Sequence, residues 1–191
     1  MSSRRKIILI AGSIVLVVAS AIAAFAAFKW SPRPSNNSLL GSGNMKIISP
    51  EFEQNGPIPG RYTCDGANIS PPLRISGAPE ETQTLVLIVD DPDATFGVFT
   101  HWTVWNIPAG TADIAENSAP GGVIEGRTDF GRSGYGGPCP PSGEHRYFFK
   151  VYALDVKLDL TPEADVKELE AAMQAHVLDK AGLIGVYRRQ Q

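Results

Sequence analysis

The sequence is poor in the residues that most metal and nucleophile chemistry needs. Cysteine occurs twice and histidine three times. There is no C-x-x-C pair, no H-E-x-x-H helix and no G-x-S-x-G elbow, which excludes zinc ribbons, zincin-type proteases and the usual serine hydrolases. Ser133 and Ser142 sit in loop-like sequence with no base to activate them. Acid is missing altogether from residues 1–45, which carry Arg4, Arg5, Lys6, Lys29 and Arg33 and a net charge of +5. The remaining 12 bases and all 20 acids leave the rest of the chain at −8. With no basic run to neutralise phosphates along a duplex, that part has no nucleic-acid partner. The 19 glycines and 15 prolines follow no fixed period, which excludes collagen and coiled coil, and no repeat points to a solenoid. At 191 residues the chain holds one domain and an appendage.

The appendage is legible. Ile7–Phe28 is a run of 22 residues with no charge and no proline. About 20 apolar residues span a bilayer as a helix. Bases precede the run, so residues 1–6 read as a cytoplasmic basic tail and 7–28 as a transmembrane signal anchor or signal peptide that exports the rest of the chain. The run exceeds a usual signal h-region, which favours a retained anchor, while Ala24-Phe25-Ala26 offers a small-x-small cleavage site. Residues 29–44, rich in Pro, Ser, Asn and Gly, read as a flexible linker. The expected location is the cell membrane, single-pass, with the domain on the extracytoplasmic side, or periplasmic or secreted if cleavage occurs near Ala26.

The domain spans 45–191. Glycine and proline punctuate most of Pro50–Pro141, favouring short strands and long loops. Thr84–Val89, His101–Ile107 and Arg146–Leu154 predict the main strands, with Lys46–Ile48 and Val156–Leu158 as short edge strands. Thr161 as N-cap, Pro162 at the first position and a spacing through Val166, Leu169, Met173, Val177 and Lys180 predict a helix that Gly182 stops. The fold class is mainly β with a C-terminal α-helix.

Chemistry-bearing residues gather at strand ends. Asp90-Asp91-Pro92-Asp93 follows the first strand, His101 opens the second, and His145 opens the third after a Gly/Pro-rich loop ending in Pro140-Pro141-Ser142-Gly143. Two imidazoles tuned near neutral pH can hold an anion such as phosphate, with a carboxylate fixing one tautomer. The same Asp and His residues also suit a two-His-one-carboxylate metal set, which leaves a metal-dependent hydrolase as a third reading. His176, beside the apolar face of the predicted helix, reads as a packed, hydrogen-bonded structural histidine. Cys64 and Cys139 in an exported chain suit one disulfide, the alternative being two separate buried thiols.

At these residues the sequence resembles the phosphatidylethanolamine-binding protein family, in its bacterial and archaeal, Raf-kinase-inhibitor-like branch. The likeness rests on three blocks over about residues 46–190. They are Arg61-Tyr62-Thr63-Cys64-Asp65-Gly66 with Asn68-Ile69-Ser70-Pro71-Pro72-Leu73; Asp91-Pro92-Asp93-Ala94 with His101-Trp102 and Asn106-Ile107-Pro108; and Thr128-Asp129-Phe130-Gly131, Gly134-Tyr135-Gly136-Gly137-Pro138-Cys139-Pro140-Pro141 and His145-Arg146-Tyr147. The resemblance implies a large antiparallel sheet packed on a smaller one, and an anion pocket at the sheet's rim formed by Asp91, His101, Pro140, Pro141, His145 and Tyr147. It implies ligand binding rather than catalysis, no cofactor and no resident metal, with a small anion or phospholipid headgroup as ligand. Some relatives inhibit proteases or kinases, which makes Thr95–Thr100 the contact loop of an inhibitor in the alternative reading, unless Phe96 and Phe99 pack over the pocket. Homodimers occur in the branch. Two departures stand out. Thr100 occupies the place before the strand histidine where animal members carry a second histidine. Cys139 replaces a usual glycine, which implies a bridge to Cys64 that buttresses the loop.

Overall fold

The computed structural model describes residues 43–189. The expected tail at 1–6, the span at 7–28 and all but the end of the linker at 29–44 lie outside the described residues. Among the described residues no helix is long and apolar enough to cross a membrane. In chain order the elements are β1 (Lys46–Ile48), β2 (Gly56–Pro57), a 3-10 turn at Gly60–Tyr62, β3 (Leu73–Ser76), β4 (Thr84–Asp91), β5 (Phe99–Pro108), β6 (Asp113–Ile114), β7 (Ile124–Glu125), β8 (Glu144–Leu154), α1 (Val166–Met173) and β9 (Val177–Arg188).

The continuous apolar run of β4 has no solvent face: all eight of its residues are buried. That pattern suits a strand covered on both sides. Alternation of side chains along a strand sorts them into two cores. Leu85, Leu87 and Val89 join Trp102, Val104, Phe149 and Val151 between the sheets. Val86 and Ile88 join Trp105, Leu154, Leu169 and Met173 under the helix. The large sheet runs β2-β9-β8-β4-β5-β7 and the small one β1-β3-β6. Strand pairing is antiparallel except for the short β2–β9 contact. This is the mainly β architecture expected, with one helix in the C-terminal part.

The three main strands form where the sequence predicts them, each running a few residues further, and Lys46–Ile48 is β1. The helix needs correction. It starts at Val166, because Asp165 rather than Thr161 caps it: the Asp165 carboxylate accepts from the Lys167 and Glu168 amides while Glu168 reaches back to the Asp165 amide. It ends at Met173, not at Gly182. Val177–Arg188 is a strand paired along the whole of β8, and Gly182 lies inside it opposite Lys150. His176 sits in the turn between, where its Nδ1 meets Asp155 Oδ1 at 2.8 Å; its side chain is 42% exposed rather than packed.

Val156–Leu158 forms no strand. Asn106 supplies Leu158 with what a ladder would: its amide N–H donates to the Leu158 carbonyl, and its carbonyl accepts the Leu158 N–H, both at 2.9 Å. Asn106 holds φ +59°, a conformation that asparagine tolerates better than most residues, at a register shift in the β4–β5 ladder. Asn106→Ala is expected to lower stability by about 2–3 kcal/mol, since two buried backbone groups lose their partners. Urea unfolding checks this; a loss under about 0.5 kcal/mol would show that water replaces the side chain.

Candidate functional site

Alternation also decides what stands at the rim. Along β4, Asp91 continues the Leu85–Leu87–Val89 face and Asp90 continues the Val86–Ile88 face. Along β8, His145 and Tyr147 precede Phe149 on that same inner face. Asp91, His145 and Tyr147 therefore point the same way. His101 reaches them by a different device. Val89 pairs with Trp102 but Asp90 with Thr100, so His101 is an extra residue in the ladder. Such a bulge re-aims a side chain that strict alternation would send to the opposite face.

The three strand ends and the Gly/Pro loop enclose a cavity of about 460 Å³. Asp91, His101, Pro140, Pro141, His145 and Tyr147 all line it. Each imidazole is fixed through its Nδ1. His101 Nδ1 lies 2.7 Å from the Gly136 carbonyl oxygen, which can only accept, so Nδ1 carries the proton. His145 Nδ1 lies 2.7 Å from Asp91 Oδ2, and Asp91 Oδ1 accepts the Asp93 N–H at 2.8 Å. Both Asp91 oxygens are thus engaged within the protein. Among the described residues neither Nε2 has a protein partner, and no set of three or more His, Cys, Asp and Glu side chains is arranged to hold a metal. The buried Tyr147 hydroxyl is likewise without a hydrogen-bond partner. Burial holds His101 below the ordinary histidine pKa, against the opposing pull of the Gly136 carbonyl and Asp91. Burial first, and Asp91 second, push Tyr147 up, so its hydroxyl stays protonated.

The loop from Tyr135 to Pro141 is stitched from behind. The Gly136 N–H donates to the His101 carbonyl, and the Cys64 N–H donates to the Pro138 carbonyl. The Gly137 N–H donates to Asn68 Oδ1 at 2.7 Å. Gly137 has no alternative residue: a Cβ there would stand 2.4 Å from the Tyr62 carbonyl oxygen. Cys64 and Cys139 are joined by a disulfide across 75 residues, as the resemblance implied.

Sequence reasoning assembled the six lining residues and weighed Phe99 as a cover, but missed the other supports. Phe99 and Phe130 pack on the His101 ring at 5.1 and 5.3 Å between centroids. Of the two loop phenylalanines only Phe99 covers the pocket; Phe96 is fully exposed beside the mouth, and Val98 is 63% exposed. Arg146 holds Asp93 with two side-chain bonds at 2.8 and 2.7 Å and one from its backbone N–H at 3.1 Å. These bonds hold the Asp93 carboxyl below the usual carboxylate range. Both residues stand in family motifs, Asp93 in D-P-D-A and Arg146 in H-R-Y. The signal was present, but nothing in it reveals that they clamp the loop after β4 to β8.

Comparisons with known proteins place the chain in a family. Residues 48–188 match the family model described as phosphatidylethanolamine-binding protein. The chain is 51% identical over 150 residues to a UPF0098 protein of Methanothermobacter thermautotrophicus, covering 76% of this chain and 99% of that one. A crystal structure of a phosphatidylethanolamine-binding protein homologue from Chlamydia trachomatis superposes with a TM-score of 0.75 at 38% identity, covering 78% of this chain and 100% of that one. Escherichia coli YbcL, described as a member of the mammalian family, gives 0.73 at 32% identity, covering 76% and 99%. This chain belongs to the phosphatidylethanolamine-binding protein family.

Proposed function

We propose that the chain is an extracytoplasmic, membrane-tethered binding protein for a small phosphate-bearing anion, a lipid headgroup among the candidates, and that it binds rather than catalyses. One observation carries this reading. Two imidazoles, each locked through Nδ1 and with Nε2 unpartnered, line one cavity walled by Pro140 and Pro141. A small pocket of this kind can attract an anion although the domain surface is acidic. The apolar run Ile7–Phe28 and the disulfide support the exported location. The Met45 N–H donates to Asp179, which pairs with Ala153, eight residues along β8 from His145. At about 3.3 Å per residue, a tether at that end leaves the pocket roughly 26 Å away.

Histidine-detected NMR titration with O-phosphorylethanolamine tests the reading. Saturable shifts at His101 and His145, lost in an Asp91→Ala variant that keeps both signals, are expected. Unchanged spectra in a folded sample would refute it. The exposed Phe96 and Val98 favour a second reading, in which the 95–100 loop contacts and inhibits an extracytoplasmic enzyme. Residual protease activity with and without the protein separates the two.

A further inference from the structure

Resting on that reading, the fixed tautomers go further and name the class of phosphate. The Gly136 carbonyl accepts from His101 Nδ1–H, so a neutral His101 turns an Nε2 lone pair, an acceptor, toward the cavity. An anion's oxygens are acceptors as well. Two acceptors facing each other need a proton between them. The ligand can bring it as a P–OH, or the imidazole can take it from solvent. Burial among Phe99, Phe130 and Tyr147 makes the second route costly. We propose that this pocket selects a phosphate that still carries a P–OH, a phosphomonoester or hydrogen phosphate, over a phosphodiester, with His101 Nε2 accepting the P–OH.

The charged neighbours are compatible with one shared proton. Asp91 on β4 and Asp129 in the loop after β7 stand near His101, and both favour a proton on it. His145 has Asp91 and Asp93 beside it and Tyr187 opposite on β9. Arg146 is spent on Asp93 and leaves that charge balanced. A phosphomonoester has a second pKa near 6, so close to neutral pH it can supply the proton itself. A phosphodiester, the linkage in phosphatidylethanolamine, has no such proton. A site whose acceptor is left unpaired discriminates strongly against the ligand that lacks the donor.

Titration calorimetry of the intact chain with methyl phosphate and dimethyl phosphate tests this, at pH 6.5 and pH 8.0 in two buffers of different ionisation enthalpy. Methyl phosphate is expected to bind at least about tenfold more tightly at pH 6.5. Its binding is expected to weaken about tenfold per unit at higher pH and to take up close to one proton at pH 8.0, where the free ester is a dianion. Equal affinity for the two esters, or binding of the dianion without proton uptake, would overturn the proposal. If neither ester binds and neither histidine signal moves in the folded chain, the anion-pocket reading itself falls. Dihexanoyl phosphatidic acid, a phosphomonoester lipid, locates the source. Binding tenfold tighter than methyl phosphate means a lipid, with the exposed Phe96 and Val98 taking the chains; equal binding means a soluble phosphomonoester. Either result upholds the choice of P–OH.

Discussion

Replacing both cysteines in a Cys64→Ser/Cys139→Ser variant is expected to lower the unfolding free energy by about 4 kcal/mol. The bridge closes a loop of 75 residues, and in the chain-entropy account a closure of that length restricts the unfolded chain by about that much. Little of the loss should appear as a changed native state. The Cys64 N–H still reaches the Pro138 carbonyl, Gly137 still reaches Asn68, and the Tyr135 hydroxyl still donates to the Tyr62 carbonyl. The pocket loop thus keeps three ties to the segment that carries Cys64. Urea unfolding of the oxidised protein against the serine variant measures the effect, and the denaturant slope should rise as the unfolded chain expands. A loss under about 1 kcal/mol would mean that the unfolded chain is already closed by residual structure. Ligand affinity in the variant should fall only severalfold. The bridge holds Pro140 and Pro141 indirectly, whereas the histidines are positioned by β5, β8 and Asp91.

How far the sequence reaches is clearest where it misleads. Thr84–Val89 and Arg146–Leu154 are unmistakable, since β-branched and aromatic runs of that length suit little else. Val177–Arg188 is different. Val177 and Lys180 continue the spacing of Val166, Leu169 and Met173, so a helical period runs past the real end of α1. The same stretch also places Ala181 and Leu183 two apart on the inner face of a strand. Only pairing with β8, a contact between distant residues, decides between the periods. The site shows the same division. Asp91, His145 and Tyr147 are readable from motif and alternation together. The aim of His101 is not, because the extra residue in β5 exists only relative to its partner strand. Nor is its tautomer, which a backbone carbonyl sets; Gly136 reads in the sequence only as a residue of small size.

Lys150→Met is expected to destabilise the domain by about 3–5 kcal/mol, the usual cost of stripping a buried charge of its partner. Lys150 on β8 and Asp90 on β4 form an ion pair on the helix side of the sheet, with side chains 13% and 8% exposed. Burial pushes the Asp90 carboxyl above the usual range, with Lys150 opposing. Burial alone would lower Lys150, but Asp90, with Tyr152 and Glu170, more than reverses it. Without Lys150 nothing opposes the rise of Asp90. A carboxyl whose folded pKa exceeds its unfolded value gains stability from protonation, and that gain is lost as pH rises through the folded value. The variant should therefore recover much of its deficit near pH 4.5 in thermal or urea unfolding, while wild type gains less. A deficit under about 1 kcal/mol at pH 7, or one independent of pH, would show that the remaining carboxylate stays solvated. Removing both charges in Asp90→Leu/Lys150→Met should come within about 1 kcal/mol of wild type, because two apolar side chains replace two desolvated ions. That double variant should also keep its ligand. Alternation along β4, not the charge on Asp90, decides which of the adjacent aspartates turns toward His145, and Leu87 and Val89 packed between the sheets hold that register on their own.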